Sequence, residues 1–233
     1  LYARFITKAL RDGGYLSFDE PFLKLYHQGT ITKNGTKMSK SRGNTVSPDE
    51  FIERYGSDTF RAYLMFMGPY DEGGDWNDTG ITGISRFMSK IWRFCQLPDS
   101  ENEEDKKDLQ ILHQTIRSVT NDMHQMKFNT AISRLMECMN HFSGHVDVQL
   151  HIKCDFIKIM APIVPHIAEE LWEINGGENS VFLETFPIYD KSLAEEDTIT
   201  IAVQVNGKLR GNIEVEKTIK NKELLELARL QEN

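Results

Sequence analysis

The sequence ITGISRFMSKIWRFC, which runs from Ile81 to Cys95, places apolar residues at intervals of three and four. This spacing is typical of an amphipathic helix that buries one face. It predicts that the protein is mainly α-helical. The apolar positions are Ile81, Ile84, Phe87, Met88, Ile91, Trp92 and Cys95.

Three further long helices are predicted downstream. One extends from Leu109 to Met126, one from Ile132 to Phe142, and one covers residues 148–174. Pro162 and Pro165 should kink or break the last of these, because proline removes a backbone hydrogen bond. Four such helices joined by short loops predict an antiparallel bundle over residues 78–190.

The chain on either side of the bundle has a different pattern. Residues 191–233 show strand-like alternation from Ile199 to Val205, the hairpin dipeptide Asn206-Gly207 and a final helix at 221–230. This α+β piece is too small to bury a core alone, so we expect a truncated module. Residues 1–77 form the third predicted domain. Its expected elements are helices at 1–12, 22–25, 48–56 and 59–67, an extended segment at 27–32 and a loop at 70–77.

Composition limits the class of protein. Lys and Arg number 27 against 35 Asp and Glu, for a net charge of -8, which argues against a generic nucleic-acid coat. Hydrophobic content of 39% suffices for real cores. No apolar run is long enough to span a membrane. We interpret Cys95, Cys138 and Cys154 as free thiols of a reducing compartment, which predicts a cytoplasmic protein.

One short segment opposes the overall acidity. Between Thr30 and Asn44 the chain carries four basic residues and no acid, and Thr36–Asn44 reads TKMSKSRGN. A glycine-flanked loop of lysines and hydroxyls is suited to a phosphate ligand. A solvated surface loop is the alternative interpretation.

The same loop carries a resemblance. Lys37-Met38-Ser39-Lys40-Ser41 is identical to the second signature of class I aminoacyl-tRNA synthetases. Residues 203–210 resemble part of the small C-terminal module of bacterial-type leucyl-tRNA synthetases. This resemblance favours a leucine enzyme over the isoleucine and valine enzymes. Further segments resemble the leucine, isoleucine and valine group of that class, in the family's order. They lie at 1–5, 76–92, 128–132 and 161–172.

The resemblance implies a function. The parent enzyme would activate leucine with ATP as leucyl-adenylate and transfer it to tRNA(Leu), with Mg²⁺ expected alongside ATP. Lys37 and Lys40 would be the catalytic residues. Residues Lys37, Met38, Ser39, Lys40 and Ser41 would bind ATP, and no metal is expected on this chain itself.

The tRNA-binding residues are less defined. Arg86, Lys90, Trp92 and Arg93 lie on the first bundle helix, where stacking and phosphate contacts are plausible, although Trp92 also falls on the apolar stripe. Lys208 and Arg210 follow the hairpin turn. The resemblance implies that Lys208 and Arg210 contact the tRNA. The alternative interpretation is that they are surface cations without a role in binding.

The family's first signature, a His-x-Gly-His, is absent, as are the leucine pocket and the editing domain. We therefore expect a C-terminal portion of the enzyme that is inactive alone and needs the missing catalytic and editing portions. An isoleucyl- or valyl-type fragment and a stand-alone RNA-binding module are the rival hypotheses. Without a bound nucleotide, residues 34–45 are expected to be poorly ordered or displaced.

Four residues between the end of the third bundle helix and the first turns of the fourth have spacings that metal ligands could use, namely His141, His145, His151 and Cys154. Gly144 and the following turn should separate the two pairs. The segment His141–His145 also has a superficial likeness to the missing first signature, with one residue too many. Structural roles at the helix end are therefore expected.

Overall fold

Within residues 1–195, 198–205, 208–216 and 219–230, which the computed structural model describes, the chain forms ten α-helices and five β-strands. The helices are α1 (Tyr2–Asp12), α2 (Pro48–Tyr55), α3 (Ser57–Phe66), α4 (Ile81–Cys95), α5 (Lys106–His124), α6 (Phe128–His141), α7 (Leu150–Met160), α8 (Pro165–Ile174), α9 (Lys191–Ala194) and α10 (Asn221–Leu230). The strands are β1 (Thr30–Lys33), β2 (Thr36–Lys37), β3 (Gly73–Trp76), β4 (Thr198–Val205) and β5 (Lys208–Glu216). The mainly helical class predicted from the sequence is confirmed.

The chain divides into two compact units, the first of which comprises residues 1–46 and 67–77. Its sheet has the strand order β2-β1-β3. Strands β1 and β2 form an antiparallel hairpin, whereas β1 and β3 run parallel and pair Thr30 with Gly73. Asn34 and Gly35 both have positive φ, which a tight two-residue hairpin turn requires.

Two sequence predictions fail in this unit. No helix forms at residues 22–25, where Phe22, Leu23 and Leu25 are exposed. A short segment that buries no apolar face does not recover the cost of helix nucleation. The predicted loop at 70–77 contains strand β3 instead, because its backbone pairs with β1.

Helix α1 fixes the segment that follows it by ion pairs. The Arg4 guanidinium donates two hydrogen bonds to the Glu20 carboxylate, at 2.6 and 2.7 Å, and Lys8 lies 3.1 Å from the same group. These hydrogen bonds, that of Arg4 foremost, lower the pKa of Glu20 to about 2. Glu20 therefore stays charged at neutral pH.

The second unit comprises residues 47–66 and 78–233 and contains the predicted bundle. Every apolar position predicted on α4 is buried except Trp92, and Phe94 is buried in addition. Helices α5 and α6 bury Leu112, Ile116, Ile132 and Leu135 against each other and their neighbours. The predicted break in the fourth helix is confirmed, since α7 ends at Met160 and α8 begins at Pro165.

Helices α2 and α3 belong to the bundle unit, whereas the sequence grouped them with residues 1–77. The reason is the packing of α3. Its buried Asp58 accepts hydrogen bonds from the backbone N–H of Ile167, at 2.7 Å, and from His166 Nδ1, at 2.8 Å. Arg61 donates to the carbonyls of Pro162 and Ile163. Side chains of α3 thus provide hydrogen-bond partners for the Ile167 N–H at the start of α8 and for the two backbone carbonyls just before α8. The division into three functional domains stays a prediction.

Strands β4 and β5 confirm the predicted C-terminal hairpin, with Ile201 opposite Ile213 in an antiparallel pair. Its Asn206-Gly207 turn lies outside the described residues. Cys95, Cys138 and Cys154 are free, as predicted. Burial raises the pKa of the Cys138 thiol to about 12, so it remains protonated at neutral pH. None of the described helices is long and apolar enough to cross a membrane.

Candidate functional site

The motif Lys37–Ser41 begins at strand β2 and continues into a short 3₁₀ turn. Lys37 pairs with Thr32 across the hairpin, and Ser39 has extended backbone angles. Residues Lys40–Arg42 then form the 3₁₀ turn, which Gly43 ends with φ of 65°. The hairpin therefore carries the motif and fixes its starting point.

Asn44 closes this loop on itself. Its side-chain oxygen accepts a hydrogen bond from the Ser39 N–H at 2.8 Å, and its amide nitrogen donates to the Lys37 carbonyl at 3.3 Å. The Ser39 and Ser41 hydroxyls are 2.9 Å apart and hydrogen-bonded. These local side-chain hydrogen bonds give the loop a defined conformation, and the expectation that residues 34–45 are poorly ordered or displaced without a nucleotide stays a prediction.

A carboxylate lies beside the hairpin, although the sequence has none between residues 30 and 44. Asp75, on β3, accepts hydrogen bonds from Thr32 Oγ1 at 2.6 Å and from the Gly35 N–H at 2.8 Å. These bonds, the Thr32 hydroxyl first, lower the pKa of Asp75. Asp75 thus stabilises the turn that precedes the motif, a role that only the β1–β3 pairing reveals.

The motif's cations remain available to a ligand. Lys37, Lys40 and Arg42 are exposed, and none of them forms an ion pair with a carboxylate in the part of the chain that the structure describes. Their combined positive charge is concentrated within six residues. Such a surface attracts a polyanion, and phosphates match both the charge and the neighbouring hydroxyls.

A second cationic surface lies on α4. Arg86, Lys90 and Arg93 are exposed and, at intervals of four and three, share one side of the helix. Lys90 Nζ donates to Asn140 Oδ1 at 3.0 Å, which links this side of α4 to α6. We call these three residues the α4 basic stripe.

Trp92 is 39% exposed but does not lie on this stripe. At 100° per residue it points about 120° around the helix from Arg86. A cleft of about 180 Å³ does adjoin the stripe, and its lining residues include Lys90, Arg93, Phe94, Met139, Phe142 and His145. A lining that combines aromatic and cationic side chains suits an aromatic ring attached to a phosphate.

The two C-terminal candidates lie on β5. The pairing is irregular at Arg210, because Gln204 pairs with Leu209 and Val203 pairs with Gly211, which leaves Arg210 at a β-bulge. Arg210 is exposed, whereas the side chain of Lys208 lies outside the description.

The four candidate metal ligands separate as the sequence predicted. His151 lies 3.6 Å from Glu104, and Cys154 is partly buried elsewhere on α7. His141 and His145, however, both contact Asp108, a residue that the sequence interpretation did not consider. A periodic pattern could not have indicated it, because Asp108 lies 33 residues before His141.

The chain matches two protein-family models. Residues 105–226 match the anticodon-binding domain of tRNA ligases, and residues 5–77 match the class I tRNA synthetases for isoleucine, leucine, methionine and valine. The first match covers the bundle helices from α5 onward, and the second covers the loop with its motif.

Individual relatives give the same result. The leucine–tRNA ligase of Caldanaerobacter subterraneus subsp. tengcongensis is 46% identical over 98% of this chain, and that of Pseudothermotoga lettingae is 44% identical over 98%. The chain spans 30% of the length of each. A crystal structure of the ternary complex of Agrobacterium radiobacter K84 agnB2 LeuRS with tRNA and LeuAMS is similar over 97% of this chain and 32% of its own. The TM-score is 0.77, at 31% identity.

Proposed function

Because the chain belongs to the class I tRNA ligases and is homologous along nearly its whole length to leucine–tRNA ligases, we propose that it is part of such an enzyme. The parent enzyme activates leucine with ATP to leucyl-adenylate, releases pyrophosphate, and transfers leucine to the 3′ end of tRNA(Leu). The observation that carries this proposal is the 46% identity over 98% of the chain. Such an enzyme acts in the cytoplasm, where tRNA charging supplies protein synthesis.

The loop contributes to the first step. Negative charge accumulates on the leaving pyrophosphate as the leucine carboxylate attacks the α-phosphate of ATP. Lys37 and Lys40 are flexible, exposed cations that stabilise this charge, which is largest in the transition state. Ser39 and Ser41 exchange the hydrogen bond between their hydroxyls for hydrogen bonds to phosphate oxygens. Met38, partly buried beside them, completes the ATP contact.

Magnesium is expected to accompany ATP in this family, but the loop does not fit a magnesium site. Residues 30–46 include no carboxylate, and the nearby Asp75 is already engaged by Thr32 and Gly35. Mg²⁺ in such sites is usually bound through one or two carboxylates together with the substrate phosphates. The contribution of this loop is therefore its own positive charge, and the ion would arrive on the nucleotide.

The bundle contributes the tRNA surface. The α4 basic stripe presents three cations, two of which line a cleft together with Phe94 and Phe142, and this arrangement suits phosphates and an unstacked base. Trp92 offers a stacking surface on another side of α4. Lys208 and Arg210 would add phosphate contacts from β5, on a module separate in sequence from the bundle.

The first unit also exposes an unusual amount of apolar surface. Leu1, just before α1, and Tyr2, Phe5 and Ile6 on α1 are each more than half exposed, as are Phe22, Leu23 and Leu25 after it. Large exposed apolar patches mark interaction sites. We assign this surface to contact with the catalytic portion of the parent enzyme, which must supply the leucine pocket.

The amino-acid preference of the parent enzyme tests the proposal. We expect ATP–pyrophosphate exchange that depends on leucine and is far weaker with isoleucine or valine. The 233-residue chain alone should give no leucine-dependent exchange, because it has no first signature. If isoleucine or valine supports faster exchange than leucine, the assignment to leucine is wrong. Robust exchange by the 233-residue chain alone would contradict the proposal that the catalytic portion lies elsewhere in the parent enzyme.

The tRNA surface is tested by binding to tRNA(Leu) at several salt concentrations. Replacing Lys90 and Arg93 together by alanine in the parent should weaken binding at least about tenfold and reduce the salt dependence by about two released counterions. Lys191→Ala is the control, because Lys191 is also exposed, lies on α9 and has no proposed RNA contact. Equal losses in both variants would exclude the α4 basic stripe as a specific surface.

A further inference from the structure

Three side chains capable of binding a metal meet where α5 begins and α6 ends. Asp108 lies in the first turn of α5, His141 is the last residue of α6, and His145 follows a 3₁₀ turn at Phe142–Gly144. Their ligand atoms all lie within 4.8 Å of one another. None of the three belongs to the loop or to the proposed ATP contact, although His145 also lines the cleft beside the α4 basic stripe.

Both imidazoles present Nε2 to the same carboxylate. His141 Nε2 is 2.6 Å from Asp108 Oδ1, and His145 Nε2 is 3.2 Å from both carboxylate oxygens. Donor atoms bound to one tetrahedral zinc ion lie about 3.3 Å apart, given bond lengths near 2.0 Å. The distances between the Asp108 oxygens and the two imidazole nitrogens would therefore need to grow by less than about 1 Å to admit an ion, and the two Nε2 atoms already lie within 4.8 Å of each other.

The burial of the cluster favours a bound cation. The Asp108 side chain is 8% exposed, and the two histidines are 25% and 28% exposed. A carboxylate removed from water to this extent needs a positive partner. The ring of Phe142 lies 5.0 Å from each imidazole ring and supplies an apolar wall on which both are held.

We propose that Asp108, His141 and His145 form a binding site for one divalent cation of the zinc class. Two imidazoles and one carboxylate are ligands that zinc accepts, and the absence of a thiolate among them disfavours copper(I). Three protein ligands leave a fourth position for water. The ion joins the start of α5 to the end of α6, which stabilises one end of the bundle. The proposed site differs from the expectation, drawn from the sequence, that His141 and His145 have only structural roles.

The experiment uses the parent enzyme after chelation and dialysis, with Co²⁺ as a spectroscopic probe of tetrahedral sites and Zn²⁺ as competitor. We compare the wild type with His145→Ala, Asp108→Asn and His151→Ala. The last variant is the matched control, since His151 lies on α7 beside Glu104 and is 47% exposed. Circular dichroism establishes whether each variant is folded. If Asp108→Asn does not fold, the test rests on His145→Ala.

The expected result is one equivalent fewer of bound Co²⁺ in His145→Ala and Asp108→Asn, with a matching loss of visible absorption. Affinity at this site should fall at least about tenfold, while His151→Ala keeps the wild-type stoichiometry. Zn²⁺ should raise the unfolding temperature of the wild type more than that of His145→Ala. Identical stoichiometry in the wild type and both ligand variants would overturn the proposal, as would an equal loss in His151→Ala. In either case the cluster is a hydrogen-bonded triad only, and the ligase assignment is unaffected.

Discussion

Replacing Lys40 by alanine in the parent enzyme is expected to lower leucine-dependent ATP–pyrophosphate exchange at least about 100-fold. Lys40 begins the 3₁₀ turn, is exposed and has no carboxylate partner among the described residues. Its charge is therefore free to meet the pyrophosphate that leaves in the transition state. Since such an interaction strengthens as the reaction proceeds, kcat should fall more than the KM for ATP rises.

Three comparisons separate this role from a general effect of charge. Lys24→Ala removes an exposed lysine of the same unit, outside the motif, and should retain near-normal exchange. Lys37→Ala should show a smaller loss than Lys40→Ala. Lys40→Arg keeps the charge but changes the shape of the group, so exchange should recover only in part. Near-normal exchange by Lys40→Ala, or an equal loss in Lys24→Ala, would remove the assigned role.

The helices of the bundle could be predicted because the information is local. On α4 the apolar spacing alone identifies Ile84, Phe87 and Ile91 as core residues. Proline likewise marks the start of α8 without reference to the rest of the fold. The β1–β3 pair could not be found in this way, because its strands are about 40 residues apart and Gly73 and Gly74 have low strand propensity. The Asn34-Gly35 turn was detectable, since the same dipeptide predicted the C-terminal hairpin.

The candidate sites also differ in whether local sequence was enough to predict them. The loop motif is contiguous, and a resemblance was enough to locate it. Asp75 and Asp108 act on partners that are 33 to 43 residues away, so only the folded chain shows what they contact. Trp92 illustrates a further limit, because its spacing placed it in the core whereas α4 leaves it at the surface. Periodicity identifies a helical face but does not fix how wide the buried stripe is.

Gly73 is the second position where a small change should have a large effect, because the support of the motif loop depends on it. Its φ is +84°, and a Cβ built there would lie 2.4 Å from the Thr30 carbonyl oxygen. The left-handed conformation alone costs an ordinary residue about 1–2 kcal/mol. The collision with β1 backbone adds to this, because no flexible side chain can move away. We expect Gly73→Ala to separate β3 from β1 and to displace the hairpin that carries Lys37.

The effect should be measurable in structure and in rate. Amide hydrogen exchange at residues 30–33 of the parent should accelerate in Gly73→Ala, and ATP–pyrophosphate exchange should fall at least about tenfold, since small misplacements of catalytic groups are costly. Gly35→Ala is the matched control, because Gly35 also has positive φ, +68°, but its added Cβ would meet no atom within 4 Å. It carries the conformational strain without the collision, so its losses should be clearly smaller. If both variants lose protection and activity equally, the β1–β3 contact does not position the loop, and the hairpin turn alone is responsible.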